Sequence, residues 1–86
     1  MTREDIEVFI ENITEETILL ADGLDEAFLG VATEEDVPRA VYSIERCIKA
    51  FTKEGMSEEE AAEYFWFNTA GAYVGEKTPI WISTPL

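Results

Sequence analysis

The sequence predicts an α+β domain, a small and mostly antiparallel sheet of about three to four strands packed against about three helices. The expected order is α-β-β-β-α-α-β. Three observations carry this. Apolar residues recur at i, i+3, i+4 and i+7 in two segments, the period of amphipathic helices. Short β-prone runs flank Asp22-Gly23, a strong turn signal because both residue types tolerate positive φ. The chain has 86 residues, 47% of them hydrophobic, which suits one core and a single domain over 1–86.

The first helix starts at Thr2, whose hydroxyl suits an N-cap, with Glu4 and Asp5 in the first turn at the positive end of the dipole. Ile6, Phe9, Ile10 and Ile13 form its apolar stripe, and the segment Asn12 to Glu16 ends it. Thr17-Ile18-Leu19-Leu20-Ala21 then reads as a strand, and Ala27-Phe28-Leu29-Gly30-Val31-Ala32 as its hairpin partner. A tight Asp22-Gly23 turn and a longer loop through Glu26 give different registers, and the sequence leaves both open.

An acidic loop, Thr33 to Pro38, leads to a third short strand at Arg39-Ala40-Val41-Tyr42. Ser43 caps the second helix, whose apolar face is Ile44, Cys47, Ile48 and Phe51. Gly55 fits the left-handed position behind it. Ser57 with Glu60 forms a capping box for a third helix running to about Ala70, where Gly71 stops it. Ile80-Trp81-Ile82-Ser83, between Pro79 and Pro85, is a short edge strand in which Trp81 faces away from Ile80 and Ile82.

Composition excludes several function classes. Nineteen acidic and six basic residues give a formal charge of -13 and a pI near 4.1. Such a chain lacks the cations that neutralise phosphate, so direct binding to nucleic acid or to an anionic membrane is not expected. Histidine, the commonest general base and metal ligand, does not occur. The single cysteine, Cys47, forms no internal disulfide and sits on an apolar helix face, where it acts as a small hydrophobe. The N-terminus turns acidic at once and the longest apolar run, Ile18 to Ala21, is far short of a membrane span. The expectation is a cytoplasmic protein.

Catalytic chemistry finds little support. Asp22, Asp25 and Glu26 have oxygen ligands for a divalent cation, but their spacing is not that of an EF-hand and turns favour Asp for local hydrogen bonds. No phosphate loop, serine elbow or metal motif is present. The expectation is a non-enzyme with no catalytic residues, no cofactor and no metal.

Two features stand out. Residues 1–38 hold 12 acids and one base, whereas residues 39–86 hold 7 acids and 5 bases. On the first helix, carboxylates at i, i+3 and i+4 stand about 4.5–6 Å apart along the axis, near the phosphate spacing of a nucleic-acid strand. Glu4, Glu7, Glu11, Glu15, Glu16, Glu34, Glu35 and Asp36 are therefore the candidate partner-binding face, with solubility as the plain alternative. The second feature is the run Tyr64-Phe65-Trp66-Phe67, which spans a whole helix circumference. Either the helix is covered on several sides, or Tyr64, Trp66 and Phe67, with Trp81 on the last strand, contact a partner or a second copy.

The stretches Asp22-Gly23-Leu24-Asp25-Glu26-Ala27-Phe28-Leu29-Gly30, Val41-Tyr42-Ser43, Gly55-Met56-Ser57-Glu58-Glu59-Glu60-Ala61, Phe67-Asn68 and Gly71-Ala72-Tyr73-Val74-Gly75-Glu76-Lys77-Thr78-Pro79-Ile80 carry a resemblance. As a loose pattern over residues 17–82, the chain resembles small acidic proteins of bacteriophages and mobile elements. The resemblance implies a modulator of a host defence system, such as an anti-CRISPR or anti-restriction protein, acting in the host cytoplasm. It brings no catalytic residues. The combined expectation is a non-enzymatic acidic protein that inhibits a host protein with a basic surface, a nuclease or CRISPR effector, partly by DNA mimicry. The alternative is a structural or assembly protein that forms a homo-oligomer through exposed aromatics.

Overall fold

A computed structural model describes residues 1–34, 36–72 and 75–85 of the chain. Helix α1 spans Arg3–Ile13 and a 3₁₀ turn lies at Asp25–Ala27. Strands β1 (Phe28–Ala32) and β2 (Arg39–Ser43) lead directly into α2 (Ile44–Lys53). Helix α3 (Glu58–Tyr64) continues as a π-helical segment, Phe65–Ala70, and β3 (Ile80–Ile82) closes the chain. The α+β class stands.

Each helix begins where its capping chemistry sits. The Thr2 hydroxyl accepts from the Asp5 amide at 3.1 Å, and the Asp5 carboxylate accepts from the Thr2 amide at 3.1 Å. Ser57 and Glu60 form the same reciprocal box on α3. Ser43 is buried and caps α2, and its hydroxyl also lies 2.6 Å from that of Thr84. Gly55, with φ of 110°, turns the chain out of α2 as a left-handed residue.

The sheet order is β1-β2-β3. β1 and β2 are antiparallel with a register shift between Phe28 and Gly30, whereas β2 and β3 are parallel. The sheet is thus mixed, because the crossover through α2 and α3 brings the last strand back in the direction of β2. Period-2 alternation then sorts the side chains. Phe28, Tyr42 and Trp81 stand abreast on one face, with ring centroids 5.7 and 5.4 Å apart. Phe9 of α1 meets Phe28 edge-on at 6.2 Å, and Phe65 meets Trp81 edge-on at 5.4 Å. This row of rings runs through the core, where Tyr42 and Phe65 are fully buried.

One expected strand does not join the sheet. Residues 17–21 form no regular element and, among the described residues, pair with no strand. Side chains, rather than a neighbouring backbone, take the polar groups at both ends of the run. The Ala21 amide donates to the Tyr42 hydroxyl at 2.9 Å, and Arg3 Nη2 donates to the Ala21 carbonyl at 3.2 Å. Lys77 Nζ donates to the Thr17 carbonyl at 2.7 Å. After the Asp22-Gly23 turn the 3₁₀ turn redirects the chain, so β1 starts away from the run it was expected to pair with. The expected hairpin is therefore replaced by β1 against β2.

Candidate partner-binding surfaces

On α1 the core side is set by Ile6 and Ile10, both buried. At about 100° per residue, Glu4, Glu7 and Glu11 fall within an arc of roughly 60° on another side. All three are exposed. Glu15 and Glu16 are exposed just beyond the C-cap Thr14. Glu34 and Asp36 are exposed in the connection from β1 to β2, on a different part of the chain from α1, and Glu35 lies outside the described residues. The structure thus groups three of the eight acids on one helix face and two more directly after it.

The nearby cations are engaged elsewhere. Arg3 Nη2 lies 2.9 Å from the Asp25 carboxylate, and Lys53 Nζ lies 2.9 Å from that of Glu26. Arg39 donates to the Thr78 carbonyl at 2.6 Å. Among the described residues, no ion pair reaches Glu4, Glu7, Glu11, Glu15, Glu16, Glu34 or Asp36. Asp25 and Glu26, read from the sequence as conceivable cation ligands, are consumed by Arg3 and Lys53. Hydrogen bonding from Lys53, with its charge beside the carboxylate, holds Glu26 below the usual glutamate range.

The aromatic candidates separate. Phe67 is 81% exposed and Trp66 is 55% exposed, both on the π-helical segment. Trp66 still touches Phe65 edge-on at 5.1 Å, so it continues the core row out to solvent. Tyr64 is partly exposed and packs edge-on against Phe51 at 4.9 Å. Trp81 behaves differently. Its ring is held between Tyr42 and Phe65, and its Nε1 is buried with no hydrogen-bond partner among the described residues. Burial of a donor without a partner costs free energy, so the packing of this ring outweighs that loss.

At about 100° per residue, Trp66 and Phe67 stand roughly 100° and 200° round the helix from buried Phe65, which turns both toward solvent. The π-helical turn widens the helix over Phe65–Ala70. A Cβ on Gly71 would stand 3.1 Å from the Trp66 carbonyl oxygen and 3.2 Å from that of Phe67. Glycine therefore lets the chain close tightly over those carbonyls. The sequence marks Gly71 as a stop signal, but it gives no sign of the change in helical pitch.

A cleft of about 310 Å³ lies between the segment Leu19–Leu24 and the end of the third helix. Leu20, Leu24, Phe51, Tyr64 and Trp81 supply apolar walls, and Asp22, Asn68 and Thr69 supply polar ones. Sequence reasoning missed it, because Leu19 and Leu20 read as strand residues and Asn68 and Thr69 as ordinary helix positions.

Cys47 is fully buried, and desolvation pushes its thiol up to about 12. It remains a thiol at neutral pH and has no nucleophilic character there. Among the described residues no helix is long and apolar enough to cross a membrane. No protein-family model, curated protein or solved structure matches the chain.

Proposed function

We propose that this protein is a non-enzymatic binding protein that presents the acidic face of α1 to a basic groove on another protein. The observation that carries this reading is the arc of Glu4, Glu7 and Glu11, exposed and without a cationic partner among the described residues. Like charges at i, i+4 cost a helix a few tenths of a kcal/mol. A protein that needed only solubility would gain the same benefit from carboxylates spread over its surface. Grooves that accept nucleic acid are lined with Lys and Arg, so a nuclease or a CRISPR effector is the class of partner this face suits. Negative potential would steer the encounter and make it sensitive to salt.

The test uses the immobilised full chain and a host lysate. Bound proteins are eluted first with salt and, in a separate arm, with duplex DNA. A partner that DNA displaces, and that a Glu4→Lys, Glu7→Lys, Glu11→Lys variant no longer retains, supports the reading. Equal retention by that variant overturns it.

A second reading rests on Phe67 and Trp66. Large apolar side chains this exposed, on adjacent residues, are the kind of surface that oligomers cover. In this reading the protein has an assembly role and its acidity serves solubility. Light scattering would then report a dimer or larger species that Trp66→Ser with Phe67→Ser converts to monomer. A wild-type monomer at high concentration excludes this alternative.

A further inference from the structure

The cleft beside the Leu19–Leu24 run has a chemical character of its own. Its walls are mostly apolar, with three aromatic rings from Phe51, Tyr64 and Trp81. Its polar groups are a carboxylate, a carboxamide and a hydroxyl, from Asp22, Asn68 and Thr69, and among the described residues no cation lines it. The Arg3 guanidinium is already bonded to Asp25 and to the Ala21 carbonyl. A pocket of this size, apolar with a few polar groups, is a normal binding-site lining. The Asp22 carboxylate disfavours an anion, whereas an apolar group joined to a cation gains burial, aromatic faces and that carboxylate.

The cleft is also continuous with the acidic side of α1. Leu19 and Leu20 form a wall of it and also line a second groove, whose charged groups are Glu7, Glu76, Arg3 and Lys77, with Arg3 bonded to Asp25 and Lys77 to the Thr17 carbonyl. A partner segment lying across Leu19 and Leu20 would meet both Glu7 and the apolar cleft.

We propose that the cleft receives an apolar side chain from a partner segment that also carries Lys or Arg, and so anchors the partner attracted by α1. The proposal rests on the binding role proposed above. In that division of labour the carboxylates supply attraction over distance and the cleft supplies a buried anchor, the arrangement in which interface energy concentrates. The complementary charge selects the occupant. A second copy of this chain would bring net negative charge to an already negative rim, and is disfavoured.

The test is an amide NMR titration of the full chain with three capped hexapeptides. The first has a Leu-Phe core flanked by Lys and Arg, the second replaces the core with Ser, and the third replaces the cations with Glu. The first peptide should shift the amides of Leu24, Asn68 and Thr69 and the Trp81 indole N–H, together with those of Glu7 and Glu11. The second should shift only the α1 amides, and the third neither set. Asn68 is exposed, so Asn68→Trp fills the cleft without touching the core. This variant should weaken the first peptide about tenfold or more and remove the cleft shifts while keeping those on α1, with Tyr64→Ala as an independent check on the wall. Shifts confined to α1 with the first peptide, or an affinity unmoved by both variants, would overturn the anchor and leave the acidic-face reading standing. Equal cleft binding by the Glu peptide would overturn the charge selection. Silence at α1 with every peptide would count against the acidic-face reading instead.

Discussion

Helices α1 and α2 share an apolar period and a hydroxyl N-cap, yet they spend their outer faces in opposite ways. On α2 the charges Glu45 and Lys53, at its two ends, agree with the helix dipole and find partners. Glu45 in the first turn accepts from the Thr84 amide at 2.7 Å and from the Ser83 hydroxyl. Lys53 in the last turn pairs with Glu26 of the 3₁₀ turn. On α1 the last turn holds no base, and Glu4, Glu7 and Glu11 repel one another without an ion pair among the described residues. The difference teaches that α2 ties the fold together through Ser43, Glu45 and Lys53, whereas α1 does so through its core side and Arg3 and leaves its acidic side exposed.

Core truncation should hit both helices alike and so set the scale of the comparison. Phe51→Ala on α2 should cost about 3–5 kcal/mol and Ile6→Ala on α1 about 2–5 kcal/mol, read from urea unfolding. A much smaller loss at Ile6 would mean that α1 is only loosely docked. The caps come next. Ser43→Ala should cost about 1–2 kcal/mol, because a buried hydroxyl is lost from both the Arg46 amide and Thr84. Thr2→Ala, at an exposed cap, should cost nearer 1 kcal/mol or less. Equal losses at the two caps would break the claim that α2 is the better tethered helix.

Reversing charge on the outer faces should separate the helices by sign. Glu11→Lys, which places a base in the last turn four residues after Glu7, should raise stability by a few tenths of a kcal/mol at low salt, an effect that fades as salt is added. Lys53→Glu should lower it by a similar amount through lost pairing with Glu26. The smallest effect is local. Hydrogen bonds from Ser83 and from the Thr84 amide hold the Glu45 carboxyl below its ordinary value of 4.5. A depressed carboxylate contributes stability above its unfolded value and loses it as pH falls through the folded one. The protection factor of the Thr84 amide, its exchange rate relative to the intrinsic rate at each pH, should therefore fall below about pH 4.5 ahead of global unfolding, and Glu45→Gln should flatten that response. An unchanged protection factor across that range would show that Glu45 does not clamp the tail.

Much of the fold was legible because its signals are local. Thr2, Ser43 and Ser57 announce three helix starts, Gly55 announces an end, and period-2 sorting places Trp81 opposite Ile80 and Ile82. The misreadings share a cause in non-local competition. Thr17 to Ala21 has the composition of a strand, but Tyr42 and Arg3, far away in sequence, take its terminal polar groups. β2 spends its second edge on Ile80–Ile82 instead. The π-helical segment was hidden because nothing in the run Phe65 to Ala70 marks a change of helical pitch. At the candidate site the exposed acids were readable from helical spacing. The cleft was not, because its two walls come from segments some forty to fifty residues apart.

The parallel pairing of β2 with β3 has a consequence for how the chain comes to be folded. Val41 cannot find Ile80 until α2 and α3 have been made and have emerged, so the central strand waits with one side open during synthesis. Its early partner, β1, is local and forms the first ladder that a growing chain can build. Trp81, arriving last, slots between Tyr42 and Phe65 and locks the earlier pieces together, which makes the C-terminal strand a latch whose removal would cost the whole domain rather than one edge.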